Sequence, residues 1–542
     1  MRGMMMERPL RIADILSFAA EVHAESRVVS ARVEGDVHTQ TYAETARRVA
    51  QLANALTRMG VAPGERVATL AWNGHRHLEL YYAVPGIGAV CHTINPRLAT
   101  EELLYIVHHA GDRVLFADIT FAPALAQLRE RLPKGLPIVM MTDRAHMPEG
   151  DWLCFEELIA GEADHLDWPE LPEETASGLC YTSGTTGHPK GALYSHRSTV
   201  LHALMSVAAL PGTFQAHHAI LPAVPLFHVN AWGTPYSAPL TGSSLVLPGP
   251  RLDGKSLFEL LDREAVYSAW GVPTVWLALL GEIDARGRTP QGLCELLIGG
   301  SAAPRAMIDR FEDKGITVTH AWGMTEMSPL GTQNTTPPRL ADAPAEAVRA
   351  LKESQGRRLF GLDFKIVDDD GRRQPHDGRA VGELYVRGNT VISGYFENAE
   401  ATAAAIDGEG WFGTGDVARI GPDGMLTITD RAKDLIKSGG EWISSLELEN
   451  AALLCEGVAQ CAVVAIAHEK WGERPLLVVV PAEGAAPQKA QILAALGEHF
   501  ARWQLPDDVV FVEALPLTAT GKISKRTLRG QFAGHTASAP ER

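Results

Sequence analysis

No segment of the chain reaches the about 18 uninterrupted apolar residues that a membrane-spanning helix needs. The opening twenty residues place Arg11 and Asp14 where a secretory signal would carry its apolar region. The sequence therefore predicts a soluble protein of the cytoplasm with no integral membrane segment. No block of five or more basic residues occurs, and 65 acidic residues against 49 basic ones give a formal net charge of −16. That balance argues against nucleic acid as a partner, since sequence-independent binding needs a basic face. Anions are left to local pockets of backbone N–H groups and a few lysines. Cysteine is scarce: Cys91, Cys154, Cys180, Cys294, Cys455 and Cys461 are scattered, with no C-x-x-C pair. Apolar neighbours such as GLCY and QCAVVA favour buried free thiols over disulfides, and hence a reducing compartment. No repeat of 20–50 residues is present.

Two nucleotide fingerprints are incomplete. GIGAVC at 86–91 has Cys91 where G-x-G-x-x-G needs its third glycine, so it reads as helix-to-sheet packing. YTSGTTGHPKG at 181–191 is not a P-loop, because His188 and Pro189 intervene between glycine and lysine.

What is present is length and alternation. A chain of 542 residues exceeds the roughly 250–300 that one hydrophobic core supports, so two or more compact units are expected. Apolar runs at 65–74, 113–118 and 137–143 read as buried strands, with helical spacing at 75–90, which argues for α/β layers on largely parallel sheets. DWPELPEETAS at 167–177 reads as a linker, and PPRLADAPAEAVRALKES at 337–354 as an exposed loop with one or two helical turns. Shorter alternating strands at 359–429 suggest a small β-rich subdomain. A new α/β pattern follows DRAKDLIKSGGEWIS, so the boundary is placed at Asp430: 1–429 form a large N-terminal domain and 430–542 a small C-terminal α+β domain.

Glycines let a backbone bend and approach a ligand closely, hydroxyls donate to anionic oxygens, and lysine supplies a compact charge to a phosphate. TSGTTGHPKG combines all three and reads as a polyphosphate-binding loop, with His188 a surface residue. Four further stretches fit the same ligand: GGSAAP (299–304), suited to a flat ring near backbone; HAWGMTE (320–326), an aromatic, a hydroxyl and a carboxylate together; GWFGTGD (410–416), ending in Asp416 as an acceptor for ribose hydroxyls; and LTATGKISKR (517–526), with Lys522 in a glycine turn. Taken singly, Trp322 would be a core residue, Glu326 and Asp416 loop carboxylates, and Lys522 a surface lysine. Their ordered occurrence carries the argument.

The set resembles the adenylate-forming superfamily of acyl-CoA synthetases, luciferase-like enzymes and peptide-synthetase adenylation domains. The likeness spans about residues 10–530 through the phosphate loop, AWGMTE, GWFGTGD, the hinge DRAKDLIKSGGEWIS and the C-terminal PLTATGKI. CHTINPRL (91–98) and PLFHVNAWGTPYS (225–237) are most similar to medium- to long-chain fatty-acid CoA ligases, with methylthiopropionate-CoA ligases close. The resemblance implies an acid–thiol ligase using ATP, Mg2+ and CoA. It first forms acyl-AMP with release of pyrophosphate, then transfers the acyl group to CoA. A medium-chain fatty acid is the leading substrate; a methylthiopropionate-type acid, or loading of a carrier protein, is the alternative.

Residue by residue, the resemblance implies that Thr182, Ser183, Gly184, Thr185, Thr186, Gly187 and Lys190 hold the β- and γ-phosphates. Gly300, Ser301, Ala302, Ala321, Trp322, Gly323 and Met324 surround the adenine, Thr325 contacts the α-phosphate, and Asp416 and Arg431 bind the ribose. Glu326, with Thr185, coordinates Mg2+. Lys522 bridges carboxylate and phosphate, and His228 stands beside the acyl carboxylate. Val229, Trp232 and Gly323 line the acyl pocket; on a helix His228 and Trp232 would share a face. The C-terminal domain rotates about Asp430, bringing Lys437, Ser438, Gly439, Gly440, Glu441 and Trp442 to a pantetheine tunnel. A homodimer is implied as well.

Overall fold

Near-continuous apolar runs such as VATL and VLFA suit strands covered on both faces, and each forms one. The computed structural model describes every residue except 2, 183–187, 302, 337–342, 345–347, 349–350, 353, 440, 483, 519–521 and 536–542. Arg66–Leu70 runs parallel to Val90–Thr93 and Asp112–Ala117 on its two sides. The sheet has seven strands and continues to Ile138–Met140 and Leu153–Cys154 at one edge. At the other edge Ala176–Thr182 pairs with an antiparallel last strand, Lys190–Ser195. Helix His75–Gly86 is buried along its whole length and touches strands of two different sheets, as a helix between layers must. It stops at Gly86, Gly88 turns with φ 83°, and the strand Val90–Thr93 begins. GIGAVC is thus the helix-to-sheet turn its sequence suggested.

The second sheet has thirteen strands. Arg27–Ala31, Ser244–Leu247, Ala219–Pro222, Ser268–Gly271 and Glu295–Ile298 are parallel neighbours. Thr317–Gly323 changes the rule: His320 pairs in parallel with Ile298, whereas Ala321 pairs antiparallel with Gln333. Leu330–Gln333, Gly356–Arg358, Met425–Arg431, Phe412–Ile420, Gly382–Gly388 and Leu362–Val367 then continue antiparallel. The strands of 359–429, with Leu330–Gln333 and Met425–Arg431, form a small β-rich part, joined to the parallel strands through one long strand that pairs differently at its two ends.

A third sheet of five strands follows, from Ile436–Ser438 to Asp508–Phe511, with its own core around Leu448, Val463, Leu477 and Val509. The result is a mixed α/β fold with a large N-terminal and a small C-terminal part. All six cysteines are free; Cys91, Cys154, Cys180 and Cys461 are buried, while Cys294 is exposed. No helix among the described residues is long and apolar enough to cross a membrane. Most of 337–354 lies outside the described residues.

Asn73 joins the two large sheets. It follows the strand Arg66–Leu70, yet its buried side chain donates to the carbonyls of Pro222 (2.8 Å) and Val224 (2.9 Å) and accepts from Leu226 N (2.7 Å). One amide thereby fixes the segment that leads from a second-sheet strand into His228. Asn73→Ala would strand three buried backbone groups, each costing about 1–3 kcal/mol when unpaired and unrelieved by water. We expect a loss of about 2–4 kcal/mol in denaturant unfolding; a loss under about 0.5 kcal/mol would show that this tie does not hold the sheets.

Candidate active site

The motif residues converge at the carboxyl ends of parallel strands, where an open α/β sheet forms its crevice. PLFHVNAW follows Ala219–Pro222, GGSAAP follows Glu295–Ile298, Glu326 follows Thr317–Gly323, and the hydroxyl-rich loop follows Ala176–Thr182. Lys190 returns from that loop opposite Thr182, with Thr182 Oγ1 donating to the Lys190 carbonyl at 3.4 Å. Ser183, Gly184, Thr185, Thr186 and Gly187, like Ala302 and Gly440, lie outside the described residues. Ser301 is exposed.

Asp416 is the hub. It is 2% exposed, and Trp322 Nε1 donates to its Oδ2 at 2.9 Å while Arg431 Nε sits 2.7 Å from its Oδ1. Asp416 and Arg431 are direct cross-strand partners, so β-pairing places that ion pair. Burial raises the Asp416 carboxyl pKa, and Arg431, Trp322 and Lys522 oppose the rise. Trp322 is buried, with its ring edge-on to Phe364 at 5.8 Å. Gly323 is required sterically, because a Cβ there would collide with the Pro329 carbonyl.

Lys522 reaches this hub from the C-terminal part. A Cβ on Gly300, which has φ 79°, would lie 3.4 Å from Lys522 Cε, so the lysine passes directly over the GGSAAP turn. Burial pushes its ammonium down to about 8, with Arg431 and Lys433 adding to the fall and Asp416 resisting it. His228 shares the space: burial first, and the Lys522 charge second, push its imidazole down to about 3. His228 is therefore neutral at physiological pH, a polar and uncharged group within reach of the Lys522 charge.

Glu326 is 6% exposed and takes a 2.8 Å hydrogen bond from Tyr395 Oη. Burial raises its pKa, while Tyr395, Arg431 and Lys190 favour the charged form. The same Tyr395 ring lies 5.2 Å from Lys190 Nζ, so one phenol joins Glu326 to the lysine of TSGTTGHPKG. Tyr395 is set by a bridge to Ala192 and by Phe396 N donating to Gly191 O at 2.8 Å. Tyr194 Oη holds the Thr325 carbonyl at 2.7 Å. Neither tyrosine was legible in the sequence. The hydrophobic-looking SGYF gives no sign that it folds back against the KGALYS strand.

Residues 228–233 depart from expectation. Instead of a helix that aligns His228 with Trp232, Val229, Asn230, Ala231 and Trp232 all take left-handed φ values of 45–56°. No glycine announces this turn until Gly233, whose missing Cβ makes room for the His202 ring. The turn seats Trp232 against Gly299: a Cβ there would lie 3.1 Å from the indole and 3.0 Å from the Ala321 carbonyl. Val229 and Trp232 are both buried in the core next to these strand ends.

Lys437, Ser438, Glu441 and Trp442 form a hairpin, Ile436–Ser438 with Glu441–Ile443. Gly439 turns it with φ 62°, and Trp442 is 45% exposed with Lys437 Nζ 4.9 Å from its ring. Asp430 lies at the end of the last N-terminal strand, buried, with Ser445 N and Oγ donating to it at 2.6 and 2.7 Å.

Among the described residues no group of three or more His, Cys, Asp or Glu side chains converges to hold a metal ion. A single buried carboxylate with one oxygen engaged by Tyr395 does fit Mg2+ that arrives on polyphosphate, since this ion commonly takes only one or two protein carboxylates plus phosphate oxygens.

Comparison with known proteins gives a consistent picture. The family model "AMP-binding enzyme" matches residues 17–396, and "AMP-binding enzyme C-terminal domain" matches 447–522. The chain is 51% identical to a 3-methylmercaptopropionyl-CoA ligase of Ruegeria pomeroyi over 98% of its length and 99% of the relative. It is 47% identical to a medium-chain-fatty-acid–CoA ligase of Ectopseudomonas oleovorans, covering 98% of each. A solved structure of the anthranilate CoA ligase AuaEII with anthranoyl-AMP superposes with a TM-score of 0.87 at 26% identity, covering 97% of this chain and 99% of that one.

Lys522 yields a pH test. Its ammonium is present below about 8 and lost above it, so adenylation that depends on the charge should fall as pH rises through about 8. We expect kcat/KM for ATP–pyrophosphate exchange to drop about tenfold per pH unit beyond that point. Lys522→Arg, which stays charged, should lose this limb. An identical limb in the arginine variant would assign the titration elsewhere.

Proposed function

Because this chain belongs to the AMP-binding enzyme family and is an AMP-forming acyl-CoA ligase, we propose that its acid is an unbranched, medium-chain fatty acid. The carrying observation is the seat of Trp232 against Gly299 and the Ala321 carbonyl, one residue before Gly300, over which Lys522 passes. An acid whose carboxylate meets Lys522 directs its alkyl chain at that indole, so the indole position limits chain length.

In the proposed first step the carboxylate attacks the α-phosphorus and the β- and γ-phosphates depart with Lys190. Attacker and leaving group are both anionic, so the protein contributes position and charge neutralisation. Lys522 places its ammonium between carboxylate and phosphate, over Gly300. Arg431 and Asp416 hold the ribose, and Asp416 in turn is oriented by Trp322. Glu326, held by Tyr395, is the carboxylate for Mg2+, which supplies neutralisation of phosphate charge when bound. Neutral His228 donates a ring N–H hydrogen bond to the acyl carboxylate without adding charge. The second step needs a thiol in the place that Lys522 occupies here. We infer that 430–542 turn about Asp430, withdrawing Lys522 and presenting the hairpin that carries the exposed Lys437 and Trp442. Buried free thiols fit a reducing cytoplasm; the homodimer rests on the family resemblance alone.

A second reading is a short thioether acid, which the name of the Ruegeria pomeroyi relative favours. AMP release with unbranched acids from three to eighteen carbons, and with 3-(methylsulfanyl)propanoate, separates the two. We expect the highest kcat/KM for medium chains, and an optimum moved to longer acids in Trp232→Ala, each methylene being worth about 1–3 kcal/mol. A maximum at the thioether acid would install the second reading. An unchanged profile in Trp232→Ala would remove Trp232 as the limit.

A further inference from the structure

Lys525 stands three residues beyond Lys522, at the start of helix Lys525–Gln531. The length of its side chain is turned inward. Its Nζ donates to Ser445 Oγ at 2.6 Å and lies 2.7 Å from Glu449 Oε1. Ser445 passes the connection on, donating both N and Oγ to Asp430 Oδ2. Glu449 is completed by Val463 N at 2.6 Å. The chain Asp430–Ser445–Lys525–Glu449 is nearly closed to water, with side-chain exposures of 15% and 12% for its ion pair. The same helix is tied a second time to the segment after Asp430, by Arg529 Nη1 bonding the Asp434 carboxylate at 2.5 Å.

We propose that Lys525 is a positioning residue for adenylation: it latches the turn that presents Lys522 to the carboxylate of Asp430, and so favours the arrangement in which Lys522 occupies the active site. The proposal rests on the reading of Lys522 as the adenylating lysine and Asp430 as the pivot. Rotation about the Cα–C bond of Asp430 carries Ser445 and Lys525 away from its carboxylate, so the two Ser445 bonds exist only on one side of the rotation. A buried ion pair contributes little net stability but fixes geometry, and breaking it by removing one partner is costly. The latch therefore biases an equilibrium between two arrangements and touches no substrate. The charged and titratable groups acting on Lys522, or acted on by it, are Arg431, Asp416, Lys433 and His228; of these Arg431 adjoins Asp430, and the Lys433 carbonyl accepts from Arg529 of the same helix at 3.5 Å.

The test measures the half-reactions separately in Lys525→Met, Lys525→Arg and Ser445→Ala. Lys525→Met should slow ATP–pyrophosphate exchange at least tenfold, while conversion of supplied acyl-AMP and CoA to thioester stays the same or quickens. The pH at which exchange falls should move from about 8 towards that of an ordinary lysine, because Lys522 spends more time in solvent. Lys525→Arg should restore most of the exchange rate. Ser445→Ala keeps the Lys525–Glu449 pair and guards against a folding defect; it should shift the same ratio in the same direction, several-fold. Equal loss of both half-reactions in Ser445→Ala, or no change in either variant, would overturn the latch. A wild-type exchange profile flat through pH 8 would instead overturn the role of Lys522.

Discussion

A carboxylate sealed from water must be met by donors or it is not tolerated, and Asp416 imposes that demand on most of the site. Its two oxygens are taken by Trp322 Nε1 and Arg431, and the Lys522 ammonium adds the nearest further positive charge. Those partners come from the strand where the large sheet changes direction, from the neighbouring antiparallel strand, and from the far C-terminal part. Satisfying one buried charge thus brings three distant segments to a common point. The low dielectric that makes Asp416 demanding also depresses Lys522 and His228. One lysine near its titration point and one neutral imidazole are consequences of the same enclosure.

A second constraint is backbone strain. Four consecutive residues without glycine hold left-handed φ values from Val229 to Trp232, each costing of order 1–3 kcal/mol, and such conformations persist only where surroundings over-determine them. Here Asn73 pins the approach to His228, Cys180 Sγ donates to Asn230 Oδ1 at 3.7 Å, and Gly233 closes on His202. The strain seats Trp232 against Gly299, where a relaxed helix would turn it along the same face as His228.

The sequence made the fold class and the motif residues legible because chemistry near phosphates uses glycines, hydroxyls and lysines in turns, and turns keep their signatures locally. The helix-to-sheet reading of GIGAVC held for the same reason. What stayed illegible depends on partners far along the chain. Tyr395 is one tyrosine among apolar letters until its loop crosses back over the Lys190 strand. Asn73 reads as a turn residue, yet it serves a loop some 150 residues away, with sequence separations of 149–153 for its three bonds. Lys525 reads as a second surface lysine after Lys522. The left-handed turn misled because Val, Asn, Ala and Trp carry no local reason to leave the right-handed region. The β-rich segment was legible, but its junction with the parallel strands was not, because a strand that pairs in parallel at one end and antiparallel at the other has no mark in its residues.

Lys522 lies over Gly300, Lys437 and Trp442 are exposed, and the Asp430 carboxylate is bonded into the small C-terminal part, the arrangement that the proposed adenylation step requires. The central claim is that two half-reactions use two different faces of residues 430–542. Lys522→Ala tests it most directly, with acyl-AMP formation and thioester formation from supplied acyl-AMP measured apart. The account predicts that the first falls by at least a thousandfold, about 4 kcal/mol in transition-state stabilisation, while the second stays within a few-fold of wild type. Equal loss of both would contradict it.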